Sequence, residues 1–167
     1  KVRRVAARRV SFTAHVITVS TRAAAGVWED RSGPILVSGL EALGFVVTGP
    51  QVVSDGDPVE AALREALGAD LILTTGGTGL TPTDRTPEAT SKVIDREVPG
   101  IAEAIRAFGV ANGVPTAMAS RGLAGLAGTT LVINVPGSPG GAKDALTVLA
   151  PVLVHAIEQI AGSDHAR

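Results

Sequence analysis

The chain has 167 residues, 45% of them hydrophobic, enough to build one domain around a sizeable core. Only three Phe and one Trp are aromatic, so that core is aliphatic, and the absence of cysteine excludes disulfides and thiolate metal sites. A formal net charge of −1 argues against a dedicated nucleic-acid binder, which usually carries a basic patch.

All 167 residues read as a single domain, of which residues 1–10 are expected to form a flexible basic arm. Lys1, Arg3, Arg4, Arg8 and Arg9 are cationic, and a frayed, solvated segment explains them more simply than a nucleic-acid or membrane tether. Residues 14–19 read as a first strand, with His15 as a packed strand residue rather than a ligand. A helix is expected over 35–43, closed by Gly44, and a second strand over 45–53. Residues 58–67 follow as a helix, closed by Gly68. The third strand, 69–75, ends abruptly at Gly76. After a long turn come a short helix from Pro87 and another over about 100–112. Strands are expected at 116–119 and 129–135. A helical region over 139–160, bent at Pro151, completes the pattern.

Short buried strands alternating with helices predict an α/β domain with a parallel or mostly parallel sheet covered on both faces. No segment reaches the roughly 18 apolar residues of a membrane span, and the basic amino terminus lacks the apolar segment of a secretory signal. The cytoplasm is the expected location, without membrane or nucleic-acid partners.

Ligands of such sheets bind where strands end, so the loops after the strands carry the functional reading. Gly76-Gly77-Thr78-Gly79 permits a tight turn, close approach of a ligand and an anion-binding nest of amides. It is neither a Walker A loop nor a dinucleotide fingerprint, because the Gly-Lys-Ser/Thr of the first and the third Gly of the second are missing. In the following helix Thr86 reads as N-cap and Pro87 as the first helical residue, so Asp84 is not needed as a cap. A turn-forming Asx role remains open for it. Asp57-Pro58-Val59-Glu60 reads as a capping box, with Asp57 as the cap, which leaves Asp55 without local employment. Ser138 reads as N-cap before Pro139, and the amides of Gly140 and Gly141 would then favour an anion, although a well-capped helix explains the segment equally.

These pieces resemble the MogA/MoaB family of molybdenum cofactor biosynthesis proteins. The resemblance rests on Thr74-Thr75-Gly76-Gly77-Thr78-Gly79 with Asp84 and Thr86-Pro87-Glu88-Ala89-Thr90. Ser20-Thr21-Arg22 with Gly26 and Asp30, Glu97-Val98-Pro99-Gly100, Ser120-Arg121-Gly122 and Asn134-Val135-Pro136-Gly137-Ser138-Pro139 follow the same order. The resemblance implies a three-layer α/β/α sandwich with a mostly parallel central sheet, and a homotrimer that meets other proteins of the pathway transiently. Residues 26–33, including Trp28, are the candidate contact between copies. It also implies transfer of AMP from ATP to molybdopterin with release of pyrophosphate and with Mg²⁺ present. Its catalytic aspartates fall on Asp55 and Asp84, which would hold the metal. Ser120 falls near the pterin, and the implied substrate contacts are Ser20, Arg22, Gly76, Gly77, Thr78, Gly79, Arg121, Asn134, Pro136, Gly137 and Ser138. Arg22 or Arg121 would offset phosphate charge. A non-catalytic molybdopterin carrier and a nicotinamide-nucleotide-processing relative are the rival readings.

Overall fold

The computed structural model describes residues 11–162, and the basic arm expected over residues 1–10 lies outside them. Its strands are β1 (Thr13–Val19), β2 (Val46–Val53), β3 (Leu71–Thr75), β4 (Arg96–Glu97), β5 (Ala124–Ala127) and β6 (Thr130–Val135). The helices are α1 (Thr21–Ala24), α2 (Ser32–Ala42), α3 (Asp57–Ala66), α4 (Thr86–Ser91), α5 (Pro99–Ala111), α6 (Pro139–Leu149) and α7 (Leu153–Ile160). The sheet order is β2-β1-β3-β6-β5-β4. The β2-β1-β3-β6 ladder is parallel throughout, whereas β5 and β4 add on antiparallel.

Successive strand residues point to opposite faces, and both faces are apolar. Ala14, Val16, Leu71, Leu73, Leu131 and Ile133 join α2, α5, α6 and α7 in one core. Ile17, Val19, Ile72 and Val132 join α3 and α4 in the other. This division makes the three layers. Helix α3 shows how the sequence specifies its own docking face. Val59, Ala62, Leu63 and Ala66 recur at helical spacing and are buried. Burying Val59 and Leu63 contributes about 1.5–3 kcal/mol each.

Several features, among them the short strand β4, differ from the sequence expectation. Residues 115–119 form a 3-10 turn (Pro115–Ala119) rather than a strand: Pro115 opens the turn, and Ala and Met have little preference for extended backbone. Strand β5, Ala-Gly-Leu-Ala, lacks β-branched residues and is extended because it pairs with β6 across a turn at Gly128. Helix α1 is a single turn, started by the Ser20 side chain accepting from the Ala23 amide. The bend at Pro151 is present: α6 and α7 meet at 62°. Among the described residues, no single helix is long and apolar enough to cross a membrane.

Candidate active site

Chain order decides where a site can form. From β1 the chain moves to β2 on one side and then returns to β3 on the other. The carboxyl ends of β1 and β3 therefore flank a topological switch point, the usual ligand crevice of open α/β sheets. The loops after β1, β3 and β6 meet there. The Gly76 amide donates to the Val135 carbonyl at 3.1 Å, and Thr75 Oγ1 donates to the Pro136 carbonyl at 2.8 Å. Gly76 has φ +101°, and a Cβ on it would lie 2.2 Å from the Val19 carbonyl oxygen. Glycine is required because three chain segments converge on that point.

The two carboxylates singled out by the sequence flank this loop. A Cβ on Gly77 would lie 3.0 Å from Asp55 Oδ1, and one on Gly79 would lie 2.7 Å from Asp84 Oδ2. Asp55 has an employment that its neighbours in sequence do not reveal. Its Oδ2 accepts from the Thr21 amide at 3.2 Å and from Thr21 Oγ1 at 2.8 Å, and its own amide donates to Thr21 Oγ1 at 3.2 Å. Asp84 does make the local turn: Oδ2 accepts from the Thr81 amide at 3.2 Å, while the Asp84 amide donates to the Thr81 carbonyl at 3.0 Å.

Two expected caps are corrected. Gly56, at φ +96°, precedes α3, so Asp57 is already helical and makes no side-chain cap bond. Glu60 does not reach back; it binds Arg64 at 2.8 Å and Lys92 at 3.2 Å. Thr86 likewise lies inside α4, and its buried hydroxyl donates to the Gly76 carbonyl at 2.9 Å, fixing the glycine loop from below. In both cases the proline occupies the second helical position, one residue later than expected. Ser138 does cap α6, but its Oγ accepts from the Gly141 amide at 3.0 Å, which removes that amide from the expected anion site.

Arg121 and Asn134 spend their polar groups on the protein. Arg121 Nε donates to the Gly79 carbonyl at 2.9 Å, Nη2 donates to the Asp84 carbonyl at 2.7 Å, and Nη1 pairs with Glu88. The guanidinium thus clamps both ends of the Gly79–Asp84 loop. That pairing holds the Glu88 carboxyl below the usual carboxylate range, because the Arg121 hydrogen bond favours its charged form. Asn134 is 2% exposed. Its Nδ2 donates to Thr74 Oγ1 and Thr90 Oγ1, each at 2.9 Å, and its Oδ1 accepts from the Leu123 amide at 3.0 Å.

The remaining implied contacts surround two adjoining cavities. The first, about 640 Å³, is lined by Ser20, Arg22, Asp55, Gly76, Gly77, Asp84, Gly137 and Ser138 among others. The second, about 570 Å³, shares Gly76, Gly77, Asp84, Gly137 and Ser138 and adds Thr78, Gly79, Ser120 and Pro136. Ser120 Oγ donates to Thr78 Oγ1 at 3.3 Å, which ties the second cavity's wall to the glycine loop. Sequence reasoning missed Thr21 as the partner of Asp55, and it left Asp30 without a role. Asp30 accepts from Thr18 Oγ1 at 2.8 Å and from the Gly33 amide at 2.9 Å, anchoring the loop before α2 to the end of β1. Spacing carries no signal for either contact, because both join side chains that only the folded chain brings together.

Among the described residues, no group of three or more His, Cys, Asp or Glu side chains converges as a metal cage. Asp55 and Asp84 on one cavity are a donor set that suits magnesium. That ion is usually held by one or two carboxylates together with waters and substrate phosphates.

A three-layer domain with glycine-lined crevices at its switch point defines the class: an α/β ligand-binding domain. The family described as "probable molybdopterin binding domain" matches residues 15–155. This chain is 41% identical over 155 residues to the molybdenum cofactor biosynthesis bifunctional protein of Synechococcus elongatus, covering 91% of this chain and 48% of that protein. It is 36% identical over 157 residues to the molybdopterin adenylyltransferase of Helicobacter pylori, covering 89% and 87% respectively. The solved structure of the molybdopterin biosynthesis Mog protein from Mycobacterium ulcerans matches with a TM-score of 0.85 at 51% identity, over 90% of this chain and 99% of that one. The chain spans about half the length of the bifunctional relatives it matches. It belongs to the molybdopterin-binding domain family of molybdenum cofactor biosynthesis proteins.

Proposed function

We propose that this domain is a molybdopterin adenylyltransferase, transferring AMP from ATP to the molybdopterin phosphate. The observation that carries the reading is the pair of cavities meeting at Gly76, Gly77, Asp84, Gly137 and Ser138, since a transfer between two substrates needs two sites with a common border. The name of the Helicobacter relative supports the same activity.

ATP is assigned to the first cavity, which carries both carboxylates, and the pterin to the second, beside Ser120. A phosphate oxygen of molybdopterin attacks the α-phosphorus of ATP; the bond to the bridging oxygen breaks, and pyrophosphate leaves with the electron pair. Such a reaction needs positioning and charge neutralisation rather than a covalent intermediate. The amides of the glycine loop and of Gly140 at the start of α6 hold phosphate oxygens. Arg22 offsets their charge. Magnesium, held by Asp55 and Asp84, would neutralise charge on the phosphates. On this reading the protein works as a homotrimer in the cytoplasm.

The test is direct. Pure protein incubated with ATP, Mg²⁺ and molybdopterin should yield adenylylated pterin and pyrophosphate in equal amounts. Binding of both substrates with no product would instead favour a non-catalytic carrier.

A further inference from the structure

An exposed tryptophan needs no explanation by itself. Trp28 is 59% exposed. Its position is what matters. Among the described residues lining the first cavity, Trp28 is the only aromatic one, and Arg22, Asp55 and Gly77 line the cavity with it. The Arg22 guanidinium lies 4.7 Å from the ring centroid, so a cation covers part of the indole while the rest stays open.

The loop that presents this ring is held at both ends. On one side the amides of Val27 and Trp28 donate to the Arg22 carbonyl at 2.9 and 3.2 Å, which ties them to α1. Helix α1 is itself bonded to Asp55 through Thr21. On the other side Asp30 is bonded to Thr18 and Gly33. The indole is therefore presented on an anchored segment that lines the same crevice as the amides of Gly76 and Gly77. An amphipathic aromatic surface in one cavity with a glycine loop suits the planar heterocycle of a nucleotide, while the loop amides suit its phosphates.

We propose that Trp28 is a binding residue that stacks on the adenine ring of ATP. The proposal rests on the reading that the first cavity takes the nucleotide. Arg22, over the same indole, fixes the ring's orientation and adds its charge beside the phosphates. Base stacking on an aromatic side chain is sequence-tolerant, and its loss on alanine substitution lowers affinity roughly 5- to 150-fold.

The chain has one Trp and no Tyr, so its fluorescence reports this site alone. Titration calorimetry and fluorescence would compare the wild type, Trp28→Ala and Trp28→Phe in the presence of Mg²⁺, with ATP and with inorganic tripolyphosphate as probes. ATP should change the wild-type emission. Trp28→Ala should weaken ATP about 5-fold or more, Trp28→Phe should stay within roughly 3-fold, and tripolyphosphate should bind all three alike. Equal ATP affinity across the three proteins, or an equal loss for tripolyphosphate, would overturn the stacking. So would a fall in molar mass of Trp28→Ala by light scattering with ATP affinity retained, which would assign the ring to a contact between copies. Adenylylation that proceeds with no dependence on Trp28 would sink the stacking and leave the function standing. A folded wild type that binds no ATP would sink both.

Discussion

Thr21 and Asp55 lie 34 residues apart and hold each other through three hydrogen bonds. The threonine hydroxyl donates to the carboxylate while accepting from the aspartate's own amide, so the carboxylate's direction is set from the end of β1. Thr21→Val keeps the shape and the backbone bond but removes both hydroxyl contacts. It should lower stability by about 1 kcal/mol, the usual net worth of such bonds. It should also slow adenylylation, by up to roughly 100-fold if Asp55 drifts by about 1 Å. Thr21→Ser should restore both, and melting temperature with single-turnover rate reads the two effects separately.

The two carboxylates are expected to matter through charge. Asp55→Asn and Asp84→Asn preserve size and an acceptor oxygen, so the Thr21 and Thr81 contacts have a replacement. Folding should barely change, while the rate should fall by roughly 100-fold or more, the scale for losing one electrostatic stabiliser. Asp57→Ala is the control. Lying in the first turn of α3 without a cap bond, Asp57 contributes only its charge near the helix start. Its loss should cost about 0.3–1 kcal/mol and leave turnover intact. A slow Asp57→Ala beside an active Asp55→Asn would reverse the assignment.

Arg121 and Glu88 yield a pH dependence with a definite sign. The Arg121 hydrogen bond lowers the Glu88 carboxyl from 4.5 in the folded state. A lowered carboxylate contributes stability that is fully present above its unfolded value and is lost as pH falls through the folded one. Melting temperatures of wild type and Glu88→Gln should therefore differ at pH 7 and converge only once pH has fallen below the lowered folded value. Arg121→Lys loses the planar fork that reaches Gly79, Asp84 and Glu88 together. It should lower kcat more than it raises KM, because the loop it positions carries Asp84; an unchanged kcat in a folded variant would refute this role.

Asn134 should behave as a core residue. Asn134→Leu strands the Leu123 amide and two threonine hydroxyls, at about 1–3 kcal/mol for each group left unsatisfied. Denaturant unfolding should register a loss of about 3 kcal/mol or more. At low temperature, the fraction still folded should bind ATP with near-normal affinity. A stable Asn134→Leu that binds ligand poorly would return Asn134 to the contact set.

Much of this protein is legible from residues taken in order. The run Leu71–Thr75 and the helical spacing of Val59, Ala62, Leu63 and Ala66 are local patterns that suffice for these elements and for the α/β class, but not for β5, which is extended through its pairing with β6. Glycines at 76, 77 and 79 after a strand similarly announce a ligand-facing turn. What only the tertiary structure decided is which polar groups remain for a ligand. Asp55 has no local partner in the sequence and is bonded to Thr21 in the fold, whereas Arg121 and Asn134, implied substrate contacts, bond to Glu88, Thr74 and Thr90. Asp57 and Thr86 have the chemistry of caps but sit one residue inside their helices, because Gly56 and Arg85 take the preceding position. A side chain's hydrogen-bonding capacity is written in its chemistry. Whether that capacity is already used depends on partners 33 to 60 residues away, and only the packed sheet brings those within about 3 Å.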